Sequence, residues 1–127
     1  MAKIALKKCT GSGTLRPFVW HPSALERIKG FSEKVKVKIG YLLYLLQKGE
    51  VLQIPQARSM SSFSAGVQEL RTKDRDGIYR VFYLTKFEDG IYVFHAFQKK
   101  TEKTPGEEIR LARKRLKELV ESQNEQE

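Results

Sequence analysis

The clearest periodicity in the chain runs from about Ser32 to Lys48. Val35, Ile39, Leu42, Leu43 and Leu46 fall at i, i+4, i+7, i+8 and i+11, the single buried stripe of an amphipathic helix. Gly49 stands where a C′ glycine stops such a helix. Upstream, Phe18-Val19-Trp20 reads as a short strand, and His21-Pro22-Ser23 opens a first helix that ends near Lys29-Gly30. Ser23 and Glu26 have the spacing of a capping box, and His21 suits a helix cap better than chemistry. Residues 50–65 show little periodicity and read as a loop. Three alternating runs follow, Gly66–Thr72, Ile78–Thr85 and Ile91–Gln98. Asp76-Gly77 and Asp89-Gly90 supply turn residues between them, which predicts two hairpins. A last helix begins at Thr104-Pro105-Gly106-Glu107, with Thr104 as N-cap, Pro105 at N1 and Glu107 closing a capping box. Its inner stripe is Ile109, Ala112, Leu116, Leu119 and Val120. The predicted order is β-α-α-β-β-β-α, an α+β fold with a mostly antiparallel twisted sheet packed on helices.

Length adds that this is one domain, since 127 residues can bury a sufficient core but rarely two. Residues 1–16, with scattered lysines and Gly11-Ser12-Gly13, read as a weakly ordered basic segment; the folded domain spans 17–120 and a polar tail 121–127. Hydrophobic content of 40% and charged content of 31% are ordinary. A net charge of +9 is not, and with a pI near 9.7 it favours a polyanionic partner, although an acidic protein would be attracted as well. The single Cys9 excludes an internal disulfide and a cysteine zinc cage, which fits a reducing cytoplasm. Met1 to Lys8 is too short and too lysine-rich for a signal peptide, and no apolar run approaches the roughly 20 residues of a membrane span.

Chemistry concentrates between Glu69 and Arg115. Once the apolar residues there are assigned to a sheet, Arg71, Arg80, His95, Lys99 and Lys100 remain, a set suited to binding or cleaving a phosphodiester. Val67-Gln68-Glu69-Leu70-Arg71, Gly77-Ile78-Tyr79-Arg80-Val81-Phe82-Tyr83 and His95-Ala96-Phe97-Gln98-Lys99-Lys100-Thr101, with Lys103-Thr104-Pro105, stand out as motifs. Glu108-Ile109 with Ala112-Arg113-Lys114-Arg115 extends them. In these motifs and in its element order the chain resembles, over about residues 17–118, the RelE/ParE toxin superfamily of type II toxin–antitoxin systems, and within it the HigB-like, phage-derived branch. The resemblance implies a RelE-like fold and a small endoribonuclease, an mRNA interferase that in many members cuts messenger RNA on the ribosome. It also implies a cognate antitoxin, commonly a helix-turn-helix protein, and no metal or other cofactor.

Cleavage by that route uses the ribose 2′-hydroxyl as nucleophile. It needs a proton acceptor, cations for the charge on phosphorus and an acid for the 5′-oxygen. Arg71 and Arg80 suit the electrostatic role, because a guanidinium stays charged and binds two phosphate oxygens at once. Arg80 matches the arginine of the family's Tyr-Arg strand motif. The bland alternative for both arginines is a solvated strand residue paired with Asp74 or Asp76. Lys100 stands where the superfamily has a basic residue at the end of the last strand, with Lys99 beside it and on the opposite face of a regular strand. His95 is an acid or base by type, yet by alternation it shares a face with Val93 and Phe97, where a buried histidine with satisfied nitrogens is the commoner outcome. Superfamily members that use strand lysines for proton transfer have one near Glu69 and Val67, so the departure here leaves the base open, Glu69 included. Tyr79 and Tyr83 could stack on a base or could pack. From Lys99 to Lys117 eight basic residues face three acidic ones, which makes Lys103, Arg113 and Lys114 candidates for RNA-backbone contact. A gyrase-poisoning toxin of the ParE type and a non-catalytic basic nucleic-acid-binding module are the rival readings. The second lacks a recognisable helix-turn-helix or aromatic RNA-stacking signature.

Overall fold

The computed structural model describes residues 15–53, 56–60, 63–64, 66–87, 89–99 and 106–125. Its elements are β1 (Phe18–Trp20), α1 (Pro22–Lys29), α2 (Glu33–Gln47), β2 (Ala57–Ser59), β3 (Val67–Asp74), β4 (Gly77–Leu84), β5 (Ile91–Lys99) and α3 (Gly106–Glu125). The five strands form one sheet in the order β1-β5-β4-β3-β2; β1 runs parallel to β5 and every other pair is antiparallel. The α+β fold with a mostly antiparallel sheet is therefore as the hydrophobic pattern predicts.

Both faces of the sheet are covered, which is why its central strands read as nearly continuous apolar runs rather than clean alternations. On one face, Val35, Ile39, Leu42, Leu43 and Leu46 of α2 and Ala24 and Ile28 of α1 pack on Leu70, Tyr79, Val81, Tyr83, Ile91 and Val93. On the other, Ala112 and Leu119 of α3, together with Phe63, cover Val67, Phe82, Leu84, Tyr92, Phe94 and Phe97. Fully burying one such side chain contributes roughly 1.5–3 kcal/mol. Those two layers supply most of what opposes the chain entropy.

Several local expectations change. The capping role at the first helix belongs to His21, whose Nδ1 accepts from the Ser23 amide at 3.1 Å; Pro22 occupies N1, so Ser23 lies inside the helix and no Ser23–Glu26 box forms. Ser32 caps α2, its Oγ accepting from the Val35 amide at 3.3 Å, and Gly49 follows with φ 93°, a conformation that costs glycine nothing. The expected loop over 50–65 contains β2, a three-residue edge strand. So short a strand carries no measurable period. The last helix continues to Glu125 because no glycine or proline interrupts the polar tail. Arg16, assigned above to the weakly ordered segment, is tied into the fold: its Nη2 donates to the carbonyls of Thr85, Phe87 and Gly90 at 2.7–3.1 Å. Residues 1–14 and the Thr104-Pro105 cap lie outside the described residues.

Candidate functional site

Strand register assigns the charged residues to one face of the sheet. Directly opposed residues of an antiparallel pair share a face. Three adjacent rows run across the strands on the α3 side: Arg58–Glu69–Phe82–His95, then Arg71–Arg80–Phe97, then Lys73–Ile78–Lys99. Among the described residues, five cations and one carboxylate thus stand on a patch that regular pairing fixes in place.

Glu69 organises the patch. Its Oε2 lies 2.6 Å from Arg80 Nη1 and its Oε1 lies 3.9 Å from Arg71 Nε. Only 3% of the Glu69 side chain and 2% of the Arg80 side chain is exposed, against 25% for Arg71. A buried carboxylate held between two guanidinium groups has little freedom to move, so Glu69 fixes the arginines' directions. The bland alternative for these arginines is an ion pair with Asp74 or Asp76 at the surface; both instead meet Glu69 on the same sheet face, and Arg80 is buried in the row that it shares with Phe97. Lys99 is also buried, while Arg58 and Lys73 are exposed. Those last two were missed: Arg58 because β2 has no readable period, Lys73 because it was not counted within a strand. Strict alternation from Arg71 would have found Lys73.

His95 lies deeper than simple alternation implies. A β-bulge opposite Phe82 and Tyr83 gives β5 one extra residue, so Phe82 faces His95 while Tyr83 faces Val93. Phe94 and His95 therefore both point to the α3 side, and His95 shares its face with Phe97 but not with Val93. The ring is fully buried against Phe82 and Phe97. Arg115 Nη1 lies 3.1 Å from Nδ1, and Glu108 Oε1 lies 2.7 Å from Nε2. Arginine only donates, so Nδ1 must accept and Nε2–H must donate to Glu108, which fixes the neutral tautomer. Burial pushes the imidazole pKa down from 6.5 to about 4, partly countered by Glu108. With no solvent access and both nitrogens engaged, His95 joins β5 to α3 through Glu108 and Arg115.

Tyr79 and Tyr83 lie on the opposite face. Tyr79 packs edge-on to Phe31 with ring centroids 4.9 Å apart, and Tyr83 donates its hydroxyl to Gln68 Oε1 at 3.1 Å. Both are buried, and burial raises both phenol pKa values, that of Tyr83 to about 12. The structure therefore places neither ring where it could stack on a base bound at the cations. Arg113 is committed to the Phe63 segment, donating to its carbonyl at 2.9 Å with the guanidinium 4.6 Å from the ring centroid. Lys114 is exposed. Lys100 and Lys103 lie outside the described residues. Among the described residues no group of three or more His, Cys, Asp or Glu side chains converges as a metal site would require, and no helix is long and apolar enough to cross a membrane.

What the patch can do follows from its polarity: exposed Arg58 and Lys73 and part-exposed Arg71 can hold an anion, backed by the rigid Glu69–Arg80 pair. No curated protein matches the chain. Residues 26–117, which include β2 to β5, all of α2, the second half of α1 and the larger part of α3, match the family described as Phage derived protein Gp49-like (DUF891). The chain belongs to this Gp49-like family, part of the RelE/HigB-like superfamily of toxin–antitoxin toxins.

Proposed function

We propose that this toxin is an mRNA endoribonuclease of the HigB type, acting in the cytoplasm on messenger RNA held by the ribosome and neutralised by a cognate antitoxin of helix-turn-helix type. The observation that carries the reading is the patch on the α3 side of the sheet, where Arg58, Arg71, Lys73, Arg80 and Lys99 share one face with the buried Glu69. The ribose 2′-oxygen forms a bond to the adjacent phosphorus as the bond to the 5′-oxygen breaks. One proton leaves the 2′-hydroxyl and one reaches the 5′-oxygen. Arg71 binds the non-bridging oxygens, where charge grows in the transition state. Arg80 acts through Glu69, holding the geometry from behind. Lys100, next in the chain after β5, completes the cation set, and together these charges take the part that a metal ion takes in other nucleases.

An mRNA carrying a single 2′-deoxy nucleotide at the cut site, presented on programmed ribosomes, tests the mechanism. Cleavage should stop at the modified position while binding persists, and unmodified message should yield ends with 2′,3′-cyclic phosphate or its 3′-phosphate product. Intact mRNA together with trapped DNA breaks at gyrase sites would overturn the reading and favour a gyrase-poisoning toxin.

A further inference from the structure

The buried stripe of α2 has a counterpart on the opposite side of the same helix. Val37, Tyr41 and Tyr44 fall at i, i+4 and i+7 and are 64%, 60% and 45% exposed. With Val51, just past the end of α2, they are the large exposed apolar residues among those described. Single exposed apolar side chains are ordinary, whereas an aligned stripe on a helix that already buries its other side marks an interaction surface. The core does not require it. Gly40 on the same helix is exposed, and a Cβ placed there would meet nothing within 4 Å, which leaves room beside the tyrosines.

Charge identifies the occupant. Lys34, Lys36, Lys38 and Lys48 line α2 and its cap, with Glu33 as the helix's one acid, 3.5 Å from Lys36. Lys48 Nζ sits 5.5 Å from the Tyr44 ring centroid, so the apolar stripe carries its own cationic rim. A second copy docked face to face would bring these lysines together, a juxtaposition that like charges oppose. An RNA strand would be drawn to the lysines but gain little from Val37. An acidic amphipathic helix satisfies both features, with apolar anchors at helical spacing against the stripe and carboxylates against the lysines.

We infer that the outer face of α2 is the docking surface for an acidic amphipathic helix of a protein partner. On the toxin reading, on which this identification of the partner rests, that helix belongs to the antitoxin. The helix would sit on the side of the sheet opposite the cationic patch, so capture there and coverage of the patch are separate functions.

The probe is the protein encoded by the reading frame adjoining the gene, co-expressed with the full chain. Amide exchange across residues 33–48 should slow in the complex. Val37→Asp and Tyr41→Asp, at exposed positions that leave the core intact, should each weaken the complex about 30-fold or more, as loss of a central anchor does. RNA cleavage by both variants should match wild type. A wild-type complex that leaves 33–48 unprotected and tolerates both substitutions would overturn the docking surface while leaving the toxin reading standing. So would a concentration-dependent dimer of the free chain that Tyr41→Asp abolishes. Absence of RNA cleavage by the wild-type chain would instead remove the endoribonuclease reading, and protection of 33–48 by the neighbour's protein would still uphold the surface.

Discussion

Glu69 and Arg80 show how one contact can serve stability and chemistry at once. Their 2.6 Å pairing is almost wholly buried, so deleting either partner strands a charge in the sheet. Arg80→Ala should therefore destabilise the protein by about 3–5 kcal/mol, which makes its loss of activity ambiguous by itself. The double variant Glu69→Leu with Arg80→Met removes both charges and should recover most of that stability without recovering cleavage. Arg71 is a quarter exposed where Arg80 is almost wholly buried, so Arg71→Ala should cost less stability than Arg80→Ala yet lower the cleavage rate about a hundredfold. Urea midpoints measured beside single-turnover rates check all three. Single variants at 69 and 80 that stay within about 0.5 kcal/mol of wild type would show that the pair does not hold the sheet together.

At the scale of elements, what was legible in the chain depended on length. α2 and the three long strands announce themselves because each repeats its period several times, and glycines mark their ends. β2 has three residues and could not be seen, so Arg58 was lost with it. The bulge in β5 was invisible for another reason: one extra residue leaves composition unchanged but reverses every face assignment beyond it, which misplaced His95 relative to Val93. The directions of Glu69 and Arg80 depend on pairing between strands, which no single segment specifies. The same bulge yields a prediction about the joint between β5 and α3. His95 is neutral in the folded protein, its pKa lowered from 6.5 to about 4 by burial, with Arg115 donating to Nδ1 where a proton would have to go. Below pH 6.5 the unfolded chain binds a proton that the folded chain refuses. The stability this site contributes is thus full above pH 6.5 and is lost as pH falls toward 4, on the order of 3 kcal/mol in all. Urea unfolding at pH 7.5, 6, 5 and 4 should show the decline, and His95→Gln should flatten it relative to wild type. Parallel curves for the two proteins would refute the neutral assignment.

Across the whole molecule, the +9 charge is less informative than how it is divided. One side of the sheet carries cations set in rows by strand pairing, and the other carries α2, whose lysines rim an apolar stripe. The two surfaces should answer differently to salt. RNA bound along the sheet releases counterions in proportion to the phosphates neutralised, and each contact to a single strand contributes about 0.7 to the slope of log K against log salt. Arg58 and Lys73 are the exposed members of the rows, so Arg58→Ala and Lys73→Ala should each flatten that slope by roughly 0.7 and weaken binding regardless of sequence. Being exposed, neither should shift stability by more than about 0.5 kcal/mol. Lys34→Ala on α2 should leave the RNA slope unchanged and instead slow association with an acidic protein partner. Titrating a 2′-deoxy-substituted, uncleavable RNA at several salt concentrations separates the two. If Lys34→Ala flattened the slope as much as Arg58→Ala, the RNA would be following net charge alone, and the sheet face would lose its claim to be the binding surface.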